Sequence, residues 1–236
     1  MAEPQRAMTG MARAFRDRYL DVLGSVYIYN EHRGYSSLDR VLEAVRARCP
    51  DDARFIAAIE KHRADEHKHY HMFRRWFELQ GRMPLALDRS VGHIDRFILK
   101  AFGCTIETLD TDAVVAKPGE FEKLCRVIVL TEQRGMRQVE ILLGNRYVQS
   151  DRALTRIFEV VHRDEPDHFM PYRDWLTREG RTPARWQEKF TDFWIHRALL
   201  FGRIPAIFLD PGLPRMKRWP HEDDAEAASS AALLAA

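Results

Sequence analysis

The chain has 236 residues, enough for one domain with a sizeable core. Its 37 Lys and Arg nearly balance 35 Asp and Glu, and a formal charge of +2 makes no bulk electrostatic case for a nucleic acid or an anionic membrane as partner. Cys49, Cys104 and Cys125 are far apart and form no Cys-x-x-Cys pair. That argues against a disulfide framework or a thiolate metal knuckle, and reads as reduced thiols in a cytoplasmic protein.

The opening MAEPQRAMTGMARAFRDRYL lacks the apolar stretch of a secretory signal and starts an amphipathic helix. No run of about 18 apolar residues is present, so no membrane span is expected. Apolar residues recur with helical period nearly everywhere, and no convincing alternating strand pattern is seen. A first helix is expected from about Met8 to Arg48, stopped by Cys49-Pro50. A second, capped by Asp51 or Asp52, runs to about Gln80 and ends at Gly81. Residues 82–119 form a long connection in which HIDRFILKAFG reads as a short amphipathic helix. A third helix covers Glu120 to Tyr147, a fourth Asp151 to about Gly180, and an apolar fifth roughly 184–202 within an apolar segment reaching 209. Residues 210–236 read as a disordered tail.

Short links between helices one and two, and three and four, make antiparallel neighbours. The long crossover lets helices two and three run parallel. The expected fold is all-α: a four-helix bundle over about 8–180 with one long crossover and an additional C-terminal helix, all in one domain, 1–209.

Two half-chains echo each other. EHRG at 31–34 returns as EQRG at 132–135, and HRADEHKH at 62–69 returns, one residue shorter, as HRDEPDH at 162–168. Each half therefore carries a Glu and then a Glu-x-x-His. Glu66 and His69 project from one helix face, in line with Phe55, Ile59, His62 and Phe73. Glu165 and His168 share a face with Phe158, Val161 and Tyr172. Glu31 lies in line with Leu23, Tyr27, Leu38 and Leu42, and Glu132 with Cys125, Ile128, Met136 and Val139. All four acids interrupt apolar stripes. A buried ionised carboxylate is costly unless paired or bound to metal. Four carboxylates can neutralise two divalent ions, and oxygen-rich ligation with one imidazole per ion suits iron or manganese better than a structural zinc. A lone Glu-x-x-His is a weak signal, because these residues favour surfaces. All four elements in order are a strong one.

The set Glu31, Glu66-x-x-His69, Glu132 and Glu165-x-x-His168 resembles the di-iron carboxylate proteins of the ferritin-like superfamily. That resemblance implies six metal ligands at these positions and two iron ions, with manganese as the alternative. It implies an oxidoreductase that uses dioxygen, and a reductant or electron-donor protein, to oxidise or hydroxylate a small organic substrate. The other readings are a ferroxidase of bacterioferritin type and a non-enzymatic helical scaffold. A rubrerythrin-like protein would normally carry a cysteine-ligated iron domain, and none is present. The elaborated crossover and the residues after Gly180 favour an enzyme that encloses a substrate.

Several neighbours keep more than one reading. His62 precedes Glu66 by one turn and is an extra nitrogen ligand, a hydrogen-bonding partner of a ligand, or a core histidine; extra histidines occur in some di-iron N-oxygenases. Tyr27, one turn before Glu31, is a core residue or a hydrogen-bond donor near the metals. His162 lies further off the ligand face, and His67 and His71 are expected to face solvent. Gly34 and Gly135 mark close helix contact, the favoured reading, or space kept open beside the metals. Pro166 aims His168 or only bends its helix. The apolar segment 184–209 is expected to cover the bundle, a second copy in a homodimer, a substrate-pocket mouth or a membrane surface.

Overall fold

The computed structural model describes residues 10–220. Its helices are α1 (Gly10–Arg48), α2 (Ala53–Leu79), α3 (His93–Phe102), α4 (Thr111–Ala116), α5 (Glu120–Leu143), α6 (Arg146–Gln149), α7 (Arg152–Arg178), α8 (Trp186–Ala198) and α9 (Ile204–Leu209). Among the described residues there is no strand, only an isolated bridge between Leu85 and Arg215.

The helix ends follow local chemistry. Asp52 accepts from the Phe55 N–H at the start of α2, and Asp151 accepts from the Leu154 N–H at the start of α7. Both helices close alike: Gly81 and Gly180 take positive φ, and Arg82 and Arg181 donate back to the carbonyls of Phe77 and Leu176. The third helix ends earlier than the expected Tyr147. α5 stops at Leu143 because Gly144 breaks it and Asn145 caps α6, accepting from the N–H groups of Tyr147 and Val148. α7 continues through Pro166 and Pro171.

Side-chain pairs give the directions of the four long helices. Between α1 and α2, Arg46 meets Glu60, Asp39 meets Arg63 and Glu31 meets His69, which is antiparallel. Between α2 and α7, Arg178 reaches Asp52, Tyr172 reaches His62 and Asp164 reaches Lys68, again antiparallel. Phe121 packs on Trp175, and Gly135 faces Glu165, so α5 opposes α7. Helices α2 and α5 are therefore parallel, as the long crossover requires. α3 and α4, within that crossover, pack on α1 and α5.

Two apolar clusters fill the interior. One gathers Val45, Phe55, Ile59, Phe121, Cys125 and Trp175; the other gathers Ile28, Phe73, Phe77, Val139, Phe158 and Val161. Along α2, α5 and α7 the Glu and His positions fall between these clusters, so a polar layer separates the two apolar clusters.

Two C-terminal expectations change. The fifth helix is not continuous: after α8 a π-helical turn spans Leu199–Arg203 before α9. Pro205 explains it, since its missing N–H and its ring disrupt the regular ladder one turn back. The disorder expected from 210 does not hold for 210–220. Ala86 N–H donates to Pro214 O, Met216 N–H donates to Pro84 O, and Arg215 pairs with Asp21 at 2.7 Å. The rest of that expected tail, 221–236, lies outside the described residues.

Candidate metal centre

The polar layer is built by one segment of each long helix. α1 brings Glu31, α2 brings His62, Glu66 and His69, α5 brings Glu132, and α7 brings Glu165 and His168. Two groups have ligand atoms all within 4.8 Å of one another: Glu31, Glu66 and His69, and His62, Glu66, Glu132 and His168. Glu66 belongs to both. Glu165 stands at the edge, with Oε2 3.8 Å from His168 Nδ1. His162 joins neither group.

The two groups differ. His62 is buried, its Nε2 is 3.5 Å from Glu66 and 3.9 Å from Glu132, and its ring stacks on His168 at 4.2 Å. It therefore lies in the cluster and in the core together, a placement compatible with each of its three readings. The position one turn before Glu165 is Val161, so the second half has no counterpart. The repeat is one residue shorter there, which turns His162 off the face.

His69 and His168 each direct one nitrogen inward and the other toward an aspartate of the opposite helix, while the second nitrogen of His62 faces the Tyr172 hydroxyl at 3.5 Å. His69 Nδ1 lies 3.3 Å from Glu31 Oε2, and its Nε2 lies 3.1 Å from Asp164 Oδ2. His168 Nδ1 lies 3.2 Å from Glu66 Oε1, and its Nε2 lies 3.6 Å from Asp65 Oδ2. Lys68 spans both aspartates, at 2.5 Å from Asp65 and 2.7 Å from Asp164. Sequence reasoning passed over Asp65, Asp164 and Lys68. The signal was in the repeat, since an Asp precedes the Glu in both RADEHKH and HRDEPDH.

The matched glycines closely face carboxylates of the neighbouring helices, so the favoured reading of close helix contact and that of space kept beside the candidate ligands describe the same feature. A methyl on Gly34 would collide with Glu66 Oε2, and one on Gly135 would lie 3.1 Å from Glu165 Oε1. Tyr27 stacks on Phe73 and meets Phe158 edge-on, while its buried hydroxyl has no hydrogen-bond partner. Burial first, then Glu31 and Glu165, raise its pKa well above the usual range. It is thus both packed in the core and close to the carboxylates. The expectation that His67 and His71 face solvent fails for His71, which is buried, with Nε2 3.1 Å from His67 Nε2.

Electrostatics show what the layer lacks. Burial, then repulsion from Glu66, pushes Glu31 up to about 7 and Glu132 up to about 8. Burial, then Glu132, raises Glu165 well above the usual carboxylate range. Burial and then His168 push His62 down to about 4. His69 rises to about 9: burial opposes this, but Asp164 and Glu31 outweigh it. Glu66 is held below the usual carboxylate range, because its contacts with His168 and His62 outweigh its burial. His62 Nε2, His69 Nδ1, both ring nitrogens of His168 and Glu165 Oε2 are buried without a hydrogen bond. Imidazole nitrogens without hydrogen bonds and mutually repelling carboxylates are the donor set of a cation site, which binding would complete by displacing the imidazole protons. The residues present fit one or two divalent ions.

A cavity of about 240 Å³ lies elsewhere, on another face of α1, lined by Ile28, His32, Tyr70, Leu85, Met216 and Trp219 among others. It includes none of the candidate ligands. No protein-family model, curated protein or solved structure matches the chain.

Proposed function

We propose that the chain is a ferritin-like di-iron carboxylate protein, its four long helices forming the bundle and Glu31, Glu66, His69, Glu132, Glu165 and His168 holding the metals, with His62 as an additional nitrogen ligand. More particularly, it is an oxidoreductase that activates dioxygen to oxidise or hydroxylate a small organic substrate, drawing electrons from a reductant. The observation that carries this reading is Glu66, whose carboxylate belongs to both ligand groups.

Bound iron would supply electrons to dioxygen and then an oxidising centre for the substrate. The chain's own residues do the rest. Four carboxylates balance the charge of two divalent ions, so a loaded site is neutral overall. Asp164 orients the His69 imidazole and Asp65 lies beside that of His168; contacts with these histidines, and then with Lys61 and Lys68 for Asp65 and Lys68 and Arg163 for Asp164, outweigh burial and keep both ionised. The flanking apolar clusters keep bulk water from the layer. Glu132 has the most accessible side chain of the set at 18%, which makes the α5 side the approach for small reactants. α8 grips α5 within the next two turns, through Asp192 to Arg134 and His196 to Gln138.

His62 favours the enzyme over iron storage. It makes one half richer in nitrogen, which suits a reaction that uses the two ions differently. The test is metal analysis of the purified chain, then anaerobic ferrous loading and exposure to air. We expect two ions per chain, an oxidation transient, and sharply lower metal content in Glu66→Ala and Glu132→Ala. Full occupancy in both variants would refute the ligand set. A cage accumulating many iron atoms per chain would favour ferroxidase storage.

A further inference from the structure

Helix α8 has its polarity inverted. Its two acids point inward: Glu188 takes the guanidinium of buried Arg126 at 2.8 Å, and Asp192 binds Arg134 and His93. Its aromatic residues point outward. Trp186 is 72% exposed, Phe190 56% and Trp194 55%, and Phe201 in the following π turn is 65% exposed. With Phe193 and Arg197 they recur every three or four residues, so they form one stripe. Ile195 and Leu199 already anchor the opposite side of the helix. Water penalises an apolar stripe of this size, and a soluble monomer rarely keeps one.

The charges on the stripe are of one sign. Arg197 lies over the rings of Phe193 and Phe201, at 5.0 and 5.1 Å, and Lys189 is exposed about two turns earlier on the same helix. Glu188 and Asp192 are the only acids between 186 and 209, and both are turned away. The net charge of +2 conceals this, because it averages over the whole chain.

We propose that this face docks on an anionic phospholipid surface. Indole and phenyl rings lodge at the headgroup boundary, and Lys189 and Arg197 meet lipid phosphates, the pattern of a helix lying in the interface plane. Attachment is peripheral, since no described helix is long and apolar enough to cross a membrane. A second copy is the weaker occupant. A two-fold interface opposes the same patch to itself, which brings the cations of the stripe against one another with no acid of the stripe between them.

The test uses the full chain with vesicles of phosphatidylcholine alone, or mixed with phosphatidylglycerol. We expect co-sedimentation with the anionic vesicles only, a blue shift of tryptophan emission, and weakening by added salt. The double variants Phe190→Ser/Trp194→Ser and Lys189→Glu/Arg197→Glu change exposed side chains, and should keep the wild-type melting temperature while binding at least about tenfold more weakly. Failure to bind anionic vesicles, or equal binding to neutral ones, overturns the proposal. So does a lipid-free dimer that Phe190→Ser/Trp194→Ser converts to monomer.

Discussion

His69 on α2 places Nε2 3.1 Å from Asp164 Oδ2 on α7, so one hairpin orients a histidine that the other supplies. The reciprocal pair, His168 and Asp65, is looser at 3.6 Å. An imidazole that gives one ring N–H to a carboxylate leaves the other nitrogen as a lone-pair donor, here aimed at the glutamates.

Asp164→Asn should therefore weaken metal binding by about 10- to 100-fold with little change in helix content. Asp65→Asn should act less, because its contact is longer. Asp167→Asn, on the same helix but exposed, is the control. Competitive titration with a metal-sensitive dye reads all three. Equal affinities for Asp164→Asn and Asp167→Asn would show that the aspartate does not position His69.

Gly34→Ala and Gly135→Ala separate space from helix propensity. In an open helix either change would stabilise by about 1 kcal/mol. At Gly34 the new methyl displaces Glu66, the carboxylate shared by both ligand groups. We expect Gly34→Ala to lose most bound metal and Gly135→Ala to lose less, since its neighbour lies at 3.1 Å and can yield. Metal content after anaerobic loading distinguishes them, and indistinguishable variants would return both glycines to simple packing.

His62→Val imposes on one half the residue that Val161 supplies to the other. The fold should survive, because a buried neutral imidazole is replaced by an apolar side chain. Two ions should still bind, but the visible spectrum and air-oxidation rate of the iron-loaded protein should change. An unchanged spectrum would remove His62 from the ligands.

Metal-free protein should lose stability as pH rises. Glu31 and Glu132 titrate near 7 and 8 when folded, above the usual carboxylate range. Between the two ranges the folded state binds more protons than the unfolded one, so unfolding free energy falls with rising pH. His69, raised to about 9, acts in the same direction. The melting temperature of chelator-treated protein should drop by at least about 5 °C between pH 5 and pH 8. A melting temperature that holds or rises across that window would contradict the raised carboxylates.

The sequence is informative where local rules decide. Cys49-Pro50, Gly81 and Gly180 mark helix ends because their backbone chemistry acts over one turn. It misleads where distant contacts decide. Residues 210–220 carry few apolar side chains and read as disordered, yet Arg215 finds Asp21 and the backbone pairs with Pro84 and Ala86. Asp65 and Asp164 stand in plain view beside the motif glutamates, but their role depends on which histidine lies opposite.

What the sequence determined by itself is the helical class, the short and long links, and the faces on which Glu31, Glu66, His69, Glu132, Glu165 and His168 must lie, because helical period converts spacing into direction. What only the tertiary structure decided is how those faces meet. His62 enters the cluster while His162 stays out, Gly34 yields its volume to Glu66, and each aspartate crosses to the other hairpin's histidine. These depend on the register and depth of helix packing, which is set by the summed fit of apolar side chains distant in the chain.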